Sequence, residues 1–411
     1  MPARRATLAV TVPFRTARAG LLVVCITVLL GLVVAEVGVR IVQPVPVAYL
    51  LPLPFHHEDL GRLVTRDAYL RFDADLGWSQ EPGVSRDDDG ITYAANAAGF
   101  RADREYEPAV PPGVARLAAF GDSFIHCDEV NYADCWTAHL ERRWPGSEVL
   151  NFGIPGSAPD QGLLRYRRDG AAYQPCAVLI GFQVENVNRV VNRYRPFYSP
   201  STGVALSKPR FVLDDGAVGG LRLLPNPATH PAQLADVRWI EETLGPDDFW
   251  YFPGLFAPGP LDNLMLARIT RTALYQRHRA ALRGTITDAK PNGHAYEPDD
   301  ERFQVAGRVL VQFAHDVQAA GATPIVLMMG QRDEVVTVRR RQPKEYQPLL
   351  DWLADEQIVA VDVTNDLARE GNERGVDTLF ARGGHYSRRA NQVIGSALAQ
   401  RLPRLTAATC S

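Results

Sequence analysis

Arg116-Leu-Ala-Ala-Phe120, followed at once by Gly121-Asp122-Ser123-Phe124, is an apolar run that stops on a glycine turn carrying a serine. A short run that is apolar at nearly every place suits a strand covered on both faces. The design returns along the chain. Glu148-Val-Leu-Asn-Phe152 reads as a second strand, Cys176-Ala-Val-Leu-Ile-Gly-Phe182 as a third, Pro324-Ile-Val-Leu-Met-Met329 as a fourth and Ile358-Val-Ala-Val-Asp362 as a fifth. Helical stretches lie between them: Cys135 to Arg143, about Ala158 to Tyr173, and the amphipathic Glu301 to Ala320 closed by Gly321. Gln347 to Asp355 follows, and a last helix opens at Ser387 and runs to about Arg401. Strands alternating with helices predict an open, mostly parallel, five-stranded α/β sheet.

Such a sheet binds its ligands beyond the carboxyl ends of the strands. Ser123 lies beyond the first strand, Gly156 of Asn151-Phe-Gly-Ile-Pro-Gly156 beyond the second, and Asn186 of Val184-Glu-Asn186 beyond the third. Gly383-Gly384-His385-Tyr386-Ser387 precedes the final helix. A nucleophilic serine needs a base, and the oxyanion of an acyl-transfer intermediate needs donors. His385 can supply the first. The backbone N–H groups of Ser123 and Gly156 and the amide of Asn186 can supply the second. The Gly-x-Ser-x-Gly elbow is absent, which argues against the ordinary α/β-hydrolase arrangement.

These four blocks resemble those of the SGNH (GDSL-like) hydrolases. Gly121-Asp122-Ser123 is similar to the first block, Gly156 to the second-block glycine, Asn186 to the third-block asparagine and His385 to the fourth-block histidine. Asn96-Ala-Ala-Gly99-Phe100-Arg101 resembles the lead-in of membrane-anchored bacterial members. The resemblance covers about 115–200 and 300–411, with some of 90–114. It implies a flavodoxin-like three-layer α/β/α fold and hydrolysis or transfer of an ester through an acyl-serine, with no metal and no cofactor. It makes Ser123 the nucleophile and first oxyanion donor, Gly156 and Asn186 the other donors, and His385 the base. Two places depart from the family. Only the asparagine of the third block survives in Glu185-Asn186-Val187, and Arg382 stands where the acid partner of the histidine belongs. The expectation is therefore a Ser123–His385 dyad steadied by a backbone carbonyl, with Asp377 the leading substitute acid and Asp362 and Glu185 behind it. The expected substrate is an ester on a carbohydrate or lipid. A catalytically silent domain of this type, binding a glycan or an envelope partner, is the competing reading.

Charge places the chain. Arg4, Arg5, Arg15 and Arg18 stand in an acid-free tail, 1–18, and the next 17 residues carry no charge. Residues 19–39 are apolar or small apart from Thr27 and Glu36, and at about 1.5 Å per residue they cross roughly 30 Å of hydrocarbon. A retained signal anchor is expected, rather than a signal cut after Val33-Val34-Ala35. The arginines put the tail in the cytoplasm and the rest outside. With 46% hydrophobic and 22% charged residues the whole chain has an ordinary globular composition, and its net charge of -3 gives no basic surplus for nucleic acid.

The exported part divides into a stalk and lead-in with a few strands (40–114), the first part of the α/β domain (115–200), an insertion (201–300) and the second part (301–411). The insertion holds Phe249, Trp250, Tyr251, Phe252 and Phe256, then a helix from Leu261 to Arg283 ended by Gly284. It is expected to form a small core of its own; a lid or membrane-facing edge is the alternative. Of four exported cysteines, Cys127 and Cys135 are the first choice for a disulfide because a short loop joins them, with free buried thiols the alternative. The spacing of His126, Cys127, Cys135 and His139 fits no common zinc site. Arg189, Arg193, Arg195, Arg339-Arg340-Arg341 and Arg388-Arg389 all follow strand ends or His385, where focusing of an anionic substrate is one expectation and solvated helix and loop roles the other.

Overall fold

The computed structural model describes residues 14–42, 69–199, 204–257, 259–284 and 294–410. Arg4 and Arg5 of the tail and residues 43–68 of the expected stalk lie outside the described residues.

Five strands form one parallel sheet: β1 (Ala115–Gly121), β2 (Ser147–Gly153), β3 (Ala177–Phe182), β4 (Thr323–Met328) and β5 (Val359–Asp362). Their order is β5-β4-β3-β1-β2, the flavodoxin-like order, whose direction reverses between β1 and β3. Side chains alternate across the sheet. Ala118, Phe120, Leu150, Phe152, Val178, Ile180 and Met328 face one side; Leu117, Ala119, Val149, Leu179, Ile325, Leu327 and Val361 face the other. Helices Pro159–Arg165 and Glu301–Ala319 cover the first face, and Trp136–Arg143, Thr364–Arg374 and Arg388–Leu405 the second. Both faces are buried, so the strands read as continuous apolar runs; burying each Leu, Ile or Phe contributes about 1.5–3 kcal/mol. Helices Arg332–Arg339 and Thr364–Arg374 were not foreseen from the pattern.

The insertion has no separate core. Phe211, Leu234, Ile240, Trp250, Phe256 and Tyr275 belong to the same apolar cluster as Phe120 and Ile180 of the sheet. Trp250 is fully buried and its indole N–H donates to the Asn188 carbonyl at 2.9 Å. The expectation of an independent core is thus corrected: the aromatics join the apolar cluster of the first face, Phe249 and Trp250 lying against Arg302 of helix Glu301–Ala319 and Trp250 against the segment that follows β3.

The lead-in from residue 69 is likewise built into the body. It forms two hairpins, Leu70–Asp73 with Gly77–Gln80 and Ser85–Asp88 with Ile91–Ala94, and the first brings Trp78 and Gln80 to the strand ends. Trp78 donates to the Pro155 carbonyl at 2.9 Å and Gln80 to that of Gly153 at 2.5 Å. Both contacts hold the loop that carries Gly156.

The disulfide differs from the expected pairing. Cys176 bonds Cys410, with Cα atoms 5.1 Å apart, while Cys127 and Cys135 are buried free thiols. Cys176 immediately precedes β3, and the C-terminal segment returns beside it, Thr409 meeting Thr323 of β4 at 2.8 Å. Cys127 instead occupies a left-handed cap, its thiol 3.5 Å from the Ile125 carbonyl. The closed loop spans 234 residues, and restricting the unfolded chain in this way stabilises a fold by about 2–5 kcal/mol.

Candidate active site

Ser123 opens a one-turn helix at the end of β1, with Asp122 as its N-cap accepting the Phe124 N–H at 2.9 Å. Its Oγ lies 2.8 Å from Nε2 of His385. His385 arrives from the opposite end of the sequence, on a loop closed by the Ala381 N–H on its own carbonyl at 2.7 Å. Tyr386 pins that loop, its hydroxyl donating to the Gly330 carbonyl at 2.8 Å.

The second nitrogen of His385 does not face a backbone carbonyl. Nδ1 lies 2.9 Å from Oε2 of Glu129. The same carboxylate accepts the His385 N–H at 2.9 Å and the Gly383 N–H at 2.5 Å. Partial burial opposes ionisation of Glu129, but these N–H groups and the imidazole outweigh it and hold the carboxyl below its usual range. An ionised carboxylate only accepts, so Nδ1 carries the proton and Nε2 is left to accept from the serine hydroxyl. A Cβ at Gly383 would lie 2.8 Å from Glu129 Oε1 and would push the carboxylate out of this position.

Glu129 is held in place by residues outside the four blocks. It and Cys127 both take left-handed backbone angles, φ 66° and 64°, a conformation that costs a non-glycine residue about 1–2 kcal/mol. Arg101 compensates. This fully buried side chain donates to the carbonyls of His126, Cys127 and Val130 at 2.5–2.6 Å. Tyr93 accepts the Glu129 N–H at 2.9 Å. The lead-in arginine of Asn96-Ala-Ala-Gly99-Phe100-Arg101 is therefore the brace of the acid loop.

Asp128, between these two strained residues, presents a second carboxylate. Its Oδ2 is 3.9 Å from Nε2 of His385, and its Oδ1 is 2.5 Å from Nδ1 of the buried His126. Burial pushes His126 down to about 4, so its ring is neutral at pH 7. The Tyr69 hydroxyl donates to its Nε2 at 2.7 Å, leaving Nδ1–H to donate to Asp128.

The expected substitute acids lie elsewhere. Asp377 is 81% exposed and pairs with Arg332 at 2.5 Å. Asp362 pairs with Lys344 at 2.6 Å, and Glu185 is taken by Arg189 and the Tyr198 hydroxyl. The dyad expectation is corrected with them, because a carboxylate from the β1 side reaches His385.

On the other side of Ser123, the Asn186 amide donates to Asp122 Oδ2 at 2.9 Å and accepts the Gln183 N–H at 3.1 Å. Gly156 takes φ +74°, a left-handed angle natural to glycine. Ser157 beside it donates to the Gly121 carbonyl at 3.0 Å, and Arg189 joins Ser157 O at 3.1 Å to Asp122 at 3.4 Å. Of the arginines expected near the site, Arg189 reaches it; Arg193 pairs with Asp247, Arg388 with Asp134 and Arg389 with Glu370. Among the described residues, no group of three or more His, Cys, Asp or Glu is placed to hold a metal ion.

No protein-family model matches the chain, and no curated protein matches it. Solved structures do resemble it. A member of the lipolytic G-D-S-L family from Veillonella parvula shares 11% identity over 70% of this chain and 98% of its own, at a TM-score of 0.34. A lipase/acylhydrolase from Enterococcus faecalis shares 12% over 70% and 95%, at 0.33. An acetyl-xylooligosaccharide esterase from Geobacillus, in a single-residue variant, shares 12% over 71% and 94%, at 0.34. At such scores the functional reading stands on the geometry and the motifs. The Veillonella protein belongs to the G-D-S-L group that the four sequence blocks of this chain resemble.

Proposed function

We propose that the chain is a serine esterase or O-acyltransferase with a Ser123–His385–Glu129 triad, acting on an ester borne by a carbohydrate or lipid. We also propose that its N-terminal helix is a retained anchor and that the catalytic domain lies outside the cytoplasm. The observation that carries the enzymatic reading is the unbroken line from Ser123 Oγ to His385 at 2.8 Å and on to Glu129 at 2.9 Å. A carboxylate bound to Nδ1–H removes the feature that favoured a silent binding domain.

The steps follow from that line. Nε2 takes the proton of Ser123 as its oxygen attacks the acyl carbon, and Glu129 stabilises the imidazolium without taking the proton. The N–H groups of Ser123 and Gly156 receive the oxyanion, together with the amide hydrogen of Asn186 not engaged by Asp122. The imidazolium then returns its proton to the departing alcohol. Water or an acceptor hydroxyl, deprotonated by the same nitrogen, resolves the acyl-serine. A fluorophosphonate probe should add one phosphonyl group to the peptide bearing Ser123 in the wild type and none in Ser123→Ala. Absence of the adduct on folded wild-type protein overturns the reading.

Asp128 adds a second negative charge beside the imidazolium. Unit charges about 4 Å apart interact by about 1 kcal/mol in bulk water, so Asp128→Asn should weaken stabilisation of the imidazolium and lower kcat/KM by roughly fivefold in folded protein. An unchanged kcat/KM removes this role.

A further inference from the structure

The apolar helix Phe14–Val42 does not stand free of the folded domain. Glu36, near its end, accepts the N–H groups of Met265 and Leu266, both at 2.9 Å. These are the first residues of helix Met265–Arg283 in the insertion. Arg40, one turn on, pairs with Glu36 at 2.7 Å and donates to the Asn263 carbonyl. Glu36 is 14% exposed in a helix whose apolar side chains are otherwise bare, such as Leu29 at 62% and Val34 at 71%.

The depth of this junction decides what surrounds it. With a span over 19–39, Glu36 lies about 4–5 Å inside the far boundary of the hydrocarbon. A carboxylate there is costly unless paired, and free backbone N–H groups are equally unwelcome. Glu36 and the first turn of Met265–Arg283 satisfy each other. The loop just before that turn exposes Leu261 at 58% and Leu264 at 42%, beside the exit of the span. The other end of the connection is rigid: Tyr275 is fully buried and donates to the Phe197 carbonyl, on the segment that continues from Asn186.

We propose that the 261–264 loop, locked to the span by Glu36 and Arg40, is a membrane seat whose leucines enter the interfacial zone of the bilayer and set the catalytic face at a fixed height above it. The partner is the lipid surface around the protein's own anchor. The proposal rests on the anchor reading and is independent of the chemistry at Ser123.

A nitroxide on Leu261→Cys, in the full chain with Cys25→Ser and reconstituted in phosphatidylcholine nanodiscs, reports depth through its relative accessibility to oxygen and to a water-soluble nickel chelate. Oxygen accessibility is expected to exceed that of the chelate at 261, and likewise in Leu264→Cys. Glu36→Gln should shift both labels toward aqueous values. Aqueous values at both positions in the Glu36-containing protein, with an intact mass including residues 1–35, overturn the seat and leave the anchor standing. A mass lacking those residues overturns both. Circular dichroism of the same samples confirms folding, and fluorophosphonate labelling reads the enzymatic proposal separately.

Discussion

Glu129→Gln is expected to lower kcat by roughly 10³–10⁴-fold, with KM little changed and the protein folded by circular dichroism. The glutamine fits the same volume, so the loss is chemical. Glu129 now accepts three N–H groups, from Gly383, from His385 and from the imidazole. An amide offers one acceptor oxygen and a donating NH₂ group, and the NH₂ cannot face an N–H. The ring is then driven toward the tautomer with its proton on Nε2, where it cannot accept from Ser123. Neutralising the acid in an established Ser-His-Asp triad costs about 10⁴-fold by this route. Asp377→Asn serves as the control and should stay within about twofold, since its carboxylate is exposed and paired with Arg332. A Glu129→Gln variant within tenfold of wild type would return His385 to a dyad. Arg101→Ala should lose activity as well, but with a loss of stability that Glu129→Gln does not share.

The difference between these two carboxylates shows what the sequence could tell. Strands such as Cys176–Phe182 are legible because each lies between two helical layers, and a doubly covered strand has to be apolar throughout. Ser123, Gly156, Asn186 and His385 are legible because each follows a strand end or a glycine-rich turn, and sheet topology brings strand ends together whatever the loops do. Glu129 obeys neither rule. Its approach to His385 depends on left-handed angles at Cys127 and Glu129 and on a guanidinium from the lead-in, and no local pattern encodes those. The one trace is Gly383, whose missing Cβ makes room for the carboxylate. Asp377, the carboxylate nearest upstream of His385 in sequence, is instead exposed and paired with Arg332. The cysteines misled in a related way. Nearness in sequence favoured Cys127 with Cys135, whereas the start of β3 and the C-terminus meet only once the sheet has formed. Residues 69–106 have the Pro, Asp and Gly content of a linker, yet Trp78, Gln80 and Arg101 are buried because they serve the site's loops.

Ser123→Ala and His385→Ala should each remove about 10⁶-fold in kcat, and the double variant should lose no more than either alone. Residues that act as one unit are strongly non-additive: in a serine protease, loss of nucleophile or base alone costs nearly as much as loss of the whole triad. The 2.8 Å contact between Oγ and Nε2 predicts the same dependence, because a base with no hydroxyl to deprotonate contributes nothing to acylation. A residual rate of about 10³–10⁴ over the uncatalysed reaction is expected from the oxyanion donors and substrate binding alone. That residue is informative. Neither side chain takes part in that residual rate, so it should be the same, within error, in Ser123→Ala, in His385→Ala and in the double variant. Single-turnover measurements on an activated acyl ester separate the cases. Additive losses in the double variant would show that serine and histidine act independently, and turnover in Ser123→Ala near the wild-type rate would remove the acyl-serine from the mechanism.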